Sequence, residues 1–146
     1  MKGTLPKLSD AVQVLQTAGF RATTNRVALL ALLEKTNAPL CIQDILHLWS
    51  GKKPDVTTLY RSLTDLSTAG IVRRIDLNTN TAHYEYTPSR PHHHHVVCTK
   101  CGNIEEIEDC SVSTLEQRII NQSTQFAKII THNLEFFGEC NQCLKV

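Results

Sequence analysis

Apolar residues recur at helical spacing through the first half of the chain, in four short stretches separated by breakers. Leu8, Val12, Leu15 and Phe20 predict a short amphipathic helix beginning around Ser9 and stopped by Gly19, a residue that tolerates the left-handed conformation of a helix end. Val27, Leu29, Leu30, Leu32 and Leu33 predict a second, well-buried helix, capped by Thr23 or Thr24 and ended by Asn37-Ala38-Pro39. A third carries Ile42, Ile45, Leu46 and Trp49 before Ser50-Gly51 breaks it. The fourth opens at Pro54-Asp55, with Asp55 as N-cap, and runs through Leu59, Leu63 and Leu66 to Gly70. The period then shortens to two. The runs Ile71 to Ile75 and Ala82 to Tyr86, joined by a turn at Asn78-Thr79-Asn80, predict a β-hairpin. Helices followed by a hairpin make a winged helix-turn-helix.

In that architecture the fourth helix lies in the DNA major groove with its N-terminal residues towards the bases. Val56, Leu59 and Leu63 are expected to pack inward, leaving Thr57, Thr58, Tyr60 and Arg61 to the duplex. Thr and Tyr supply hydroxyls and apolar surface for thymine methyls, while Arg61 can clamp a phosphate or a guanine. Arg21 and Arg26 are further backbone or minor-groove candidates. The bland alternative is a small helical core with an ordinary solvated face. Charge tilts the choice a little: residues 1–86 carry ten Lys/Arg against seven Asp/Glu, whereas residues 87–146 carry five against seven.

Composition enlarges the picture in the second half. Hydrophobic residues make up 41% of the 146, enough for a packed core. The N-terminal segment has no apolar run of the signal-peptide kind, and Val27 to Leu33 falls far short of the ~20 residues that span a bilayer. A cytoplasmic protein with no membrane partner is expected, and in that compartment paired cysteines serve metals rather than disulfides. Of six cysteines, Cys98 and Cys101 form one C-x-x-C and Cys140 and Cys143 another. Each turn aims two sulfurs at one ion, and two turns close a tetrahedral Zn2+ site with no position open to substrate. Gly102 can take the positive φ such a turn requires. Free or redox-active cysteines are the alternative, and Cys41 and Cys110 stand outside both pairs.

Seven histidines include four in a row, His92 to His95, leading into the first cysteine pair as extended chain. Alternation puts His93 and His95 on one face and His92 and His94 on the other. The same period puts His83 and Glu85 together on the second hairpin strand, and Glu106 follows on the strand Asn103 to Ile107. Imidazoles with carboxylates suit Fe2+, Mn2+, Zn2+ or Ni2+. A solvated histidine run without a ligand is the bland reading.

These residues together resemble the ferric uptake regulator family over essentially the whole chain. The motifs that carry the likeness are Gly19-Phe20-Arg21-Ala22-Thr23 with Arg26, Thr57-Thr58-Leu59-Tyr60-Arg61-Ser62-Leu63, Ala69-Gly70-Ile71-Val72, His83-Tyr84-Glu85, His92 to Gly102, and the Cys140/Cys143 pair. The resemblance implies an α+β protein: a winged helix-turn-helix over 1–87, a hinge at 88–91 and a small α/β dimerisation domain over 92–146. It implies a homodimeric, metal-dependent repressor of metal uptake and homeostasis genes on a palindromic, AT-rich double-stranded DNA operator, and no enzyme. By position, Tyr60 and Arg61 would contact DNA, supported by Arg21 and Arg26. Cys98, Cys101, Cys140 and Cys143 would hold structural zinc. Glu85, His93, His95 and Glu106 match a regulatory hinge site, and His92, His94 and His132 a further one.

Two departures matter. Relatives often place a histidine just before the third helix where this chain has Pro39, so the hinge site loses a ligand unless Cys41 or His83 replaces it. In the further site the usual carboxylate position falls near Ser113, leaving Glu108, Asp109 or Glu116 as substitutes. The absence of a cysteine between Cys41 and Cys98 favours Fe2+ as effector, with Zn2+ or Mn2+ as alternatives and zinc-uptake or peroxide-responsive regulation as the other readings within the family. Outside it stand a zinc-ribbon interaction module and a metal hydrolase. The hydrolase lacks any H-E-x-x-H pair, phosphate loop or nucleophile motif.

Overall fold

The computed structural model describes residues 8–36, 38–77, 80–88, 90–108 and 111–145. The chain divides into two compact units, residues 1–90 and 91–146. The first contains α1 (Leu8–Thr17), α2 (Thr24–Lys35), α3 (Ile42–Leu48), α4 (Val56–Thr68) and the hairpin β1 (Val72–Asp76) and β2 (Ala82–Tyr86). The second contains β3 (His94–Cys98), β4 (Ile104–Ile107), α5 (Val112–Gln122), β5 (Glu135–Gly138) and α6 (Asn141–Leu144).

The first unit is built as its apolar pattern predicts. Ala11 and Leu15 of α1, Val27, Leu29, Leu30 and Leu33 of α2, Ile42 and Ile45 of α3, and Leu59, Leu63 and Leu66 of α4 form one buried cluster with Val72, Tyr84 and Tyr86 of the wing. Two of the helix starts are chemically marked. Thr23 caps α2 by accepting from the Arg26 amide, and the Asp55 carboxylate caps α4 by accepting from Thr57 N at 2.9 Å and Thr58 N at 3.3 Å. Gly19 takes φ +80° after α1, as its position requires. In the wing, Arg73 pairs with Glu85 and Ile75 with His83. Asn80 is left-handed at φ 38°, while Asn78 and Thr79 of the expected turn lie outside the described residues. One expectation fails here: Val56 is 44% exposed. It is the first residue of α4, beyond the last turn that the core reaches, so the apolar stripe begins at Leu59.

Leu40 adds a short third rung to the wing. Its N–H donates to Tyr84 O at 3.0 Å and its carbonyl accepts from Tyr84 N at 2.9 Å, an isolated antiparallel bridge.

In the second unit β3 lies between antiparallel β4 and parallel β5, with α5 in the crossover connection. This unit is thinly cored. Among its described residues the buried hydrophobics are Val97 and Cys98, while Leu115, Ile119, Phe126, Ile130, Phe136, Phe137 and Leu144 are exposed. No helix among the described residues is long and apolar enough to cross a membrane.

Candidate functional site

The clearest centre is built by two loops on one sheet. Cys98 ends β3 beside Gly138 of β5, and Thr99 N donates to Gly138 O at 2.8 Å, so the two cysteine pairs are held by strand register. Gly102, at φ +74°, turns the first knuckle and donates to Cys98 O at 2.9 Å. Cys140 N donates to Cys98 Sγ at 3.3 Å, and Cys101 Sγ lies 3.7 Å from Cys140 Sγ. All four sulfurs lie within 4.8 Å of one another. A tetrahedral ion at ~2.3 Å from each sulfur sets neighbouring sulfurs ~3.8 Å apart, so the cradle already has the right edge. The acid–base balance agrees. Backbone amides of Cys101, Cys140 and Lys100 hold the Cys98 thiol down at about 6, whereas the neighbouring sulfurs push Cys143 up to about 12. Four thiols so close cannot all ionise unaided, and a divalent cation supplies the missing charge.

The histidine strand splits into two sets, one per face. On one face His92 Nε2 lies 3.0 Å from His132 Nε2 and 3.2 Å from His94 Nε2, and the last two are 3.5 Å apart. Their other nitrogens are anchored: His94 Nδ1 donates to Leu134 O at 2.8 Å and His132 Nδ1 to Glu116 Oε1 at 2.7 Å. A carbonyl or carboxylate can only accept, so both rings carry the proton on Nδ1 and turn the Nε2 lone pair inward. That is the ring orientation by which outer hydrogen bonds prepare a metal ligand. Ser113, near the expected carboxylate position, is exposed on α5, and the acid that arrives is Glu116, bonded to His132 from behind. Asp109 and Cys110 lie outside the described residues.

On the other face His93 and His95 stand with ring centroids 5.0 Å apart, both buried. His93 Nδ1 donates to Pro91 O at 2.8 Å and lies 3.7 Å from Glu106 Oε1. His95 Nδ1 lies 3.2 Å from Glu135 Oε2, which also accepts from the His95 amide at 3.0 Å. Register accounts for both acids, because His95 faces Glu106 across β4 and Glu135 across β5. Glu135 has no signal in the linear pattern. Its parallel pairing joins residues forty positions apart.

In the first unit Glu85 of β2 receives Arg73 Nη2 at 2.6 Å and Arg90 Nη1 at 3.6 Å, two cations that offset its buried charge. His83 lies beside Cys41 and Asp44, with its Nδ1 donating to Thr81 O at 3.0 Å. At the start of α4, Thr57, Thr58, Tyr60 and Arg61 are exposed together, Tyr60 half so. Arg21 is exposed as well. Arg26 sits over the Phe20 ring and binds Asp65 Oδ2 at 2.9 Å, bracing α2 against α4.

A winged helix that exposes the N-terminus of its last helix, followed by a unit crowded with converging thiols and imidazoles, defines a metal-binding transcription regulator. Comparison with known proteins makes the class specific. The model of the ferric uptake regulator family matches residues 17–137. The ferric uptake regulation protein of Neisseria gonorrhoeae is 32% identical over 142 residues, covering 95% of this chain and 96% of that protein. The peroxide operon regulator of Bacillus subtilis (strain 168) is 29% identical over 141 residues, covering 95% and 94%. The solved structure of the Helicobacter pylori ferric uptake regulator, which reveals three functional metal binding sites, shares the fold at TM-score 0.79 and 21% identity, covering 98% of this chain and 97% of that one. The chain belongs to the ferric uptake regulator family, a family of metal-dependent transcription regulators.

Proposed function

We propose that this protein is a cytoplasmic, homodimeric, iron-responsive repressor of metal uptake and homeostasis genes, acting on a palindromic AT-rich operator. The observation that carries this reading is the ring orientation of the strand histidines. His93, His94, His95 and His132 each direct Nδ1 to a carbonyl or carboxylate, which leaves Nε2 as the ligand atom. The four cysteines would hold Zn2+ structurally, joining the chain's end to the strand that bears the histidines. His92, His94 and His132 would hold a second ion. His93, His95 and Glu106, with Glu85, would hold the regulatory ion, a set of nitrogen and oxygen donors that suits Fe2+ or Mn2+ better than a thiolate set would.

The homodimer is supported by the second unit's own poverty of core. A unit of this size that leaves seven large apolar side chains exposed needs a partner to cover them, and a second copy supplies the same patch. Dimerisation then presents two α4 helices to two half-sites, with Arg61 and Tyr60 at the groove and Thr57, Thr58, Arg21 and Arg26 in support. A metal that favours the arrangement matching the operator raises DNA affinity by its preference for that state, typically ~1–3 kcal/mol, or about 5- to 150-fold. The likeness to a peroxide operon regulator favours one second reading, a peroxide-responsive regulator in which the same donors would hold Fe2+ and a neighbouring histidine would be the group that peroxide oxidises.

The test is fluorescence anisotropy with palindromic AT-rich duplexes, with Fe2+, Mn2+ or Zn2+ and without labile metal, at two salt concentrations. Metal-dependent, salt-sensitive binding is expected. Equal operator affinity with and without labile metal overturns the proposal, and a response to Zn2+ alone overturns its iron assignment.

A further inference from the structure

We propose that Cys41, Asp44 and His83 form an additional divalent-metal site, for a zinc-like ion, inside the first unit. One sulfur, one carboxylate oxygen and one imidazole nitrogen lie within 4.8 Å of one another there. The backbone sets this up. Leu40 and Tyr84 exchange both main-chain hydrogen bonds, so the next pair outward, Cys41 and His83, is a narrow pair whose side chains leave the same face close together. Asp44 follows three residues later in the first turn of α3. Its Oδ2 accepts from Cys41 N at 3.1 Å, which holds the carboxylate over the cysteine and leaves Oδ1 for a ligand.

His83 is prepared in the same manner as the strand histidines. With Nδ1 donating to Thr81 O at 3.0 Å, the ring keeps its lone pair on Nε2. The bland explanation is an ordinary helix cap, and the residue type argues against it. A cap needs a short oxygen side chain, and this chain uses Thr23 and Asp55 where caps alone are wanted. A sulfur at the equivalent place on α3 is a weak cap and a strong ligand. Cys, His and Asp together select Zn2+ over Mg2+ or Ca2+, and three protein donors leave a fourth position for water or another small ligand.

An ion there would clamp the start of α3 to wing strand β2. The DNA-reading unit would then have a metal response of its own, separate from that of the strand histidines. The inference does not rest on the operator reading, since it concerns donors of the first unit alone.

The full-length protein, retaining its four-cysteine zinc after mild chelation, is titrated with Co2+ while metal equivalents and near-ultraviolet absorbance are recorded. A thiolate-to-cobalt charge-transfer band is expected in the wild type. It should vanish in Cys41→Ser with the loss of one equivalent per chain. Serine preserves the cap, so the variant folds, as circular dichroism would verify. In His83→Gln the cobalt affinity of the band should fall by about 10-fold or more, while His93→Ala leaves the band intact. A wild type without the band, a band that survives Cys41→Ser, or unchanged affinity in His83→Gln would each overturn the assignment.

Discussion

Glu116 gives the sharpest test of the three-histidine set. A tetrahedral ion with bonds of ~2.05 Å to nitrogen separates neighbouring nitrogens by ~3.3 Å. The three Nε2 separations are 3.0, 3.2 and 3.5 Å, so the donors are already within a few tenths of an ångström of one tetrahedral face. What Glu116 adds is orientation and basicity, through its 2.7 Å hydrogen bond to His132 Nδ1. Removing such an outer partner typically costs about 10- to 100-fold in metal affinity, ~1.4–2.7 kcal/mol. The Glu116 side chain is 31% exposed, so water screens part of its charge and the lower end applies. Glu116→Ala should therefore weaken the site about 10-fold, while Glu116→Gln, whose amide oxygen still accepts from Nδ1, should cost only about 3-fold or less. Competition with a chromophoric chelator for Zn2+, in a His93→Ala, Cys41→Ser background that silences the other proposed labile sites, measures both. Unchanged affinity in Glu116→Ala would refute the outer-partner role. A loss as large as that in His132→Ala would show Glu116 to be a ligand itself.

The remaining predictions address the other centres. Cys98→Ser should release the structural ion and, under the proposed assembly, abolish the dimer in sedimentation experiments; a zinc-free variant that stays dimeric would contradict this. Asp55→Ala should lower stability by ~1 kcal/mol in urea denaturation and Asp55→Asn by much less, because Asn still accepts from the Thr57 and Thr58 amides. Arg61→Ala should weaken operator binding: if it touches phosphate, the logarithmic salt slope falls by ~0.9 for each arginine lost, and if it reads guanine, discrimination falls by ~1–3 kcal/mol instead. Absence of both changes would remove Arg61 from the interface. His93→Ala should suppress metal-dependent operator binding in anisotropy while leaving the four-cysteine zinc content unchanged.

Much of the first unit was legible in the sequence because its signals are local. Thr23 and Asp55 begin helices within their own turn, and Leu59, Leu63 and Leu66 mark the buried side of α4 without reference to anything distant. Val56 misled because period alone does not say where a core ends. The cysteine pairs were readable from their spacing and the two histidine faces from alternation along β3. The outer partners were not. Glu135 reaches His95 through a parallel pairing that no local pattern announces, and Glu116 reaches His132 from a helix sixteen residues away. The meeting of Cys41 with His83 depends on a single bridge between Leu40 and Tyr84, too short to leave any periodicity.

The alternation of β3 has a consequence for how this protein can vary. A strand whose successive imidazoles face opposite sides has no neutral insertion point between His95 and Cys98: with the cysteine pair held in place, one residue added there would turn each histidine to the other face. Chains built on this strand can exchange the acids around it, yet the number of residues between His95 and Cys98 is bound to stay even.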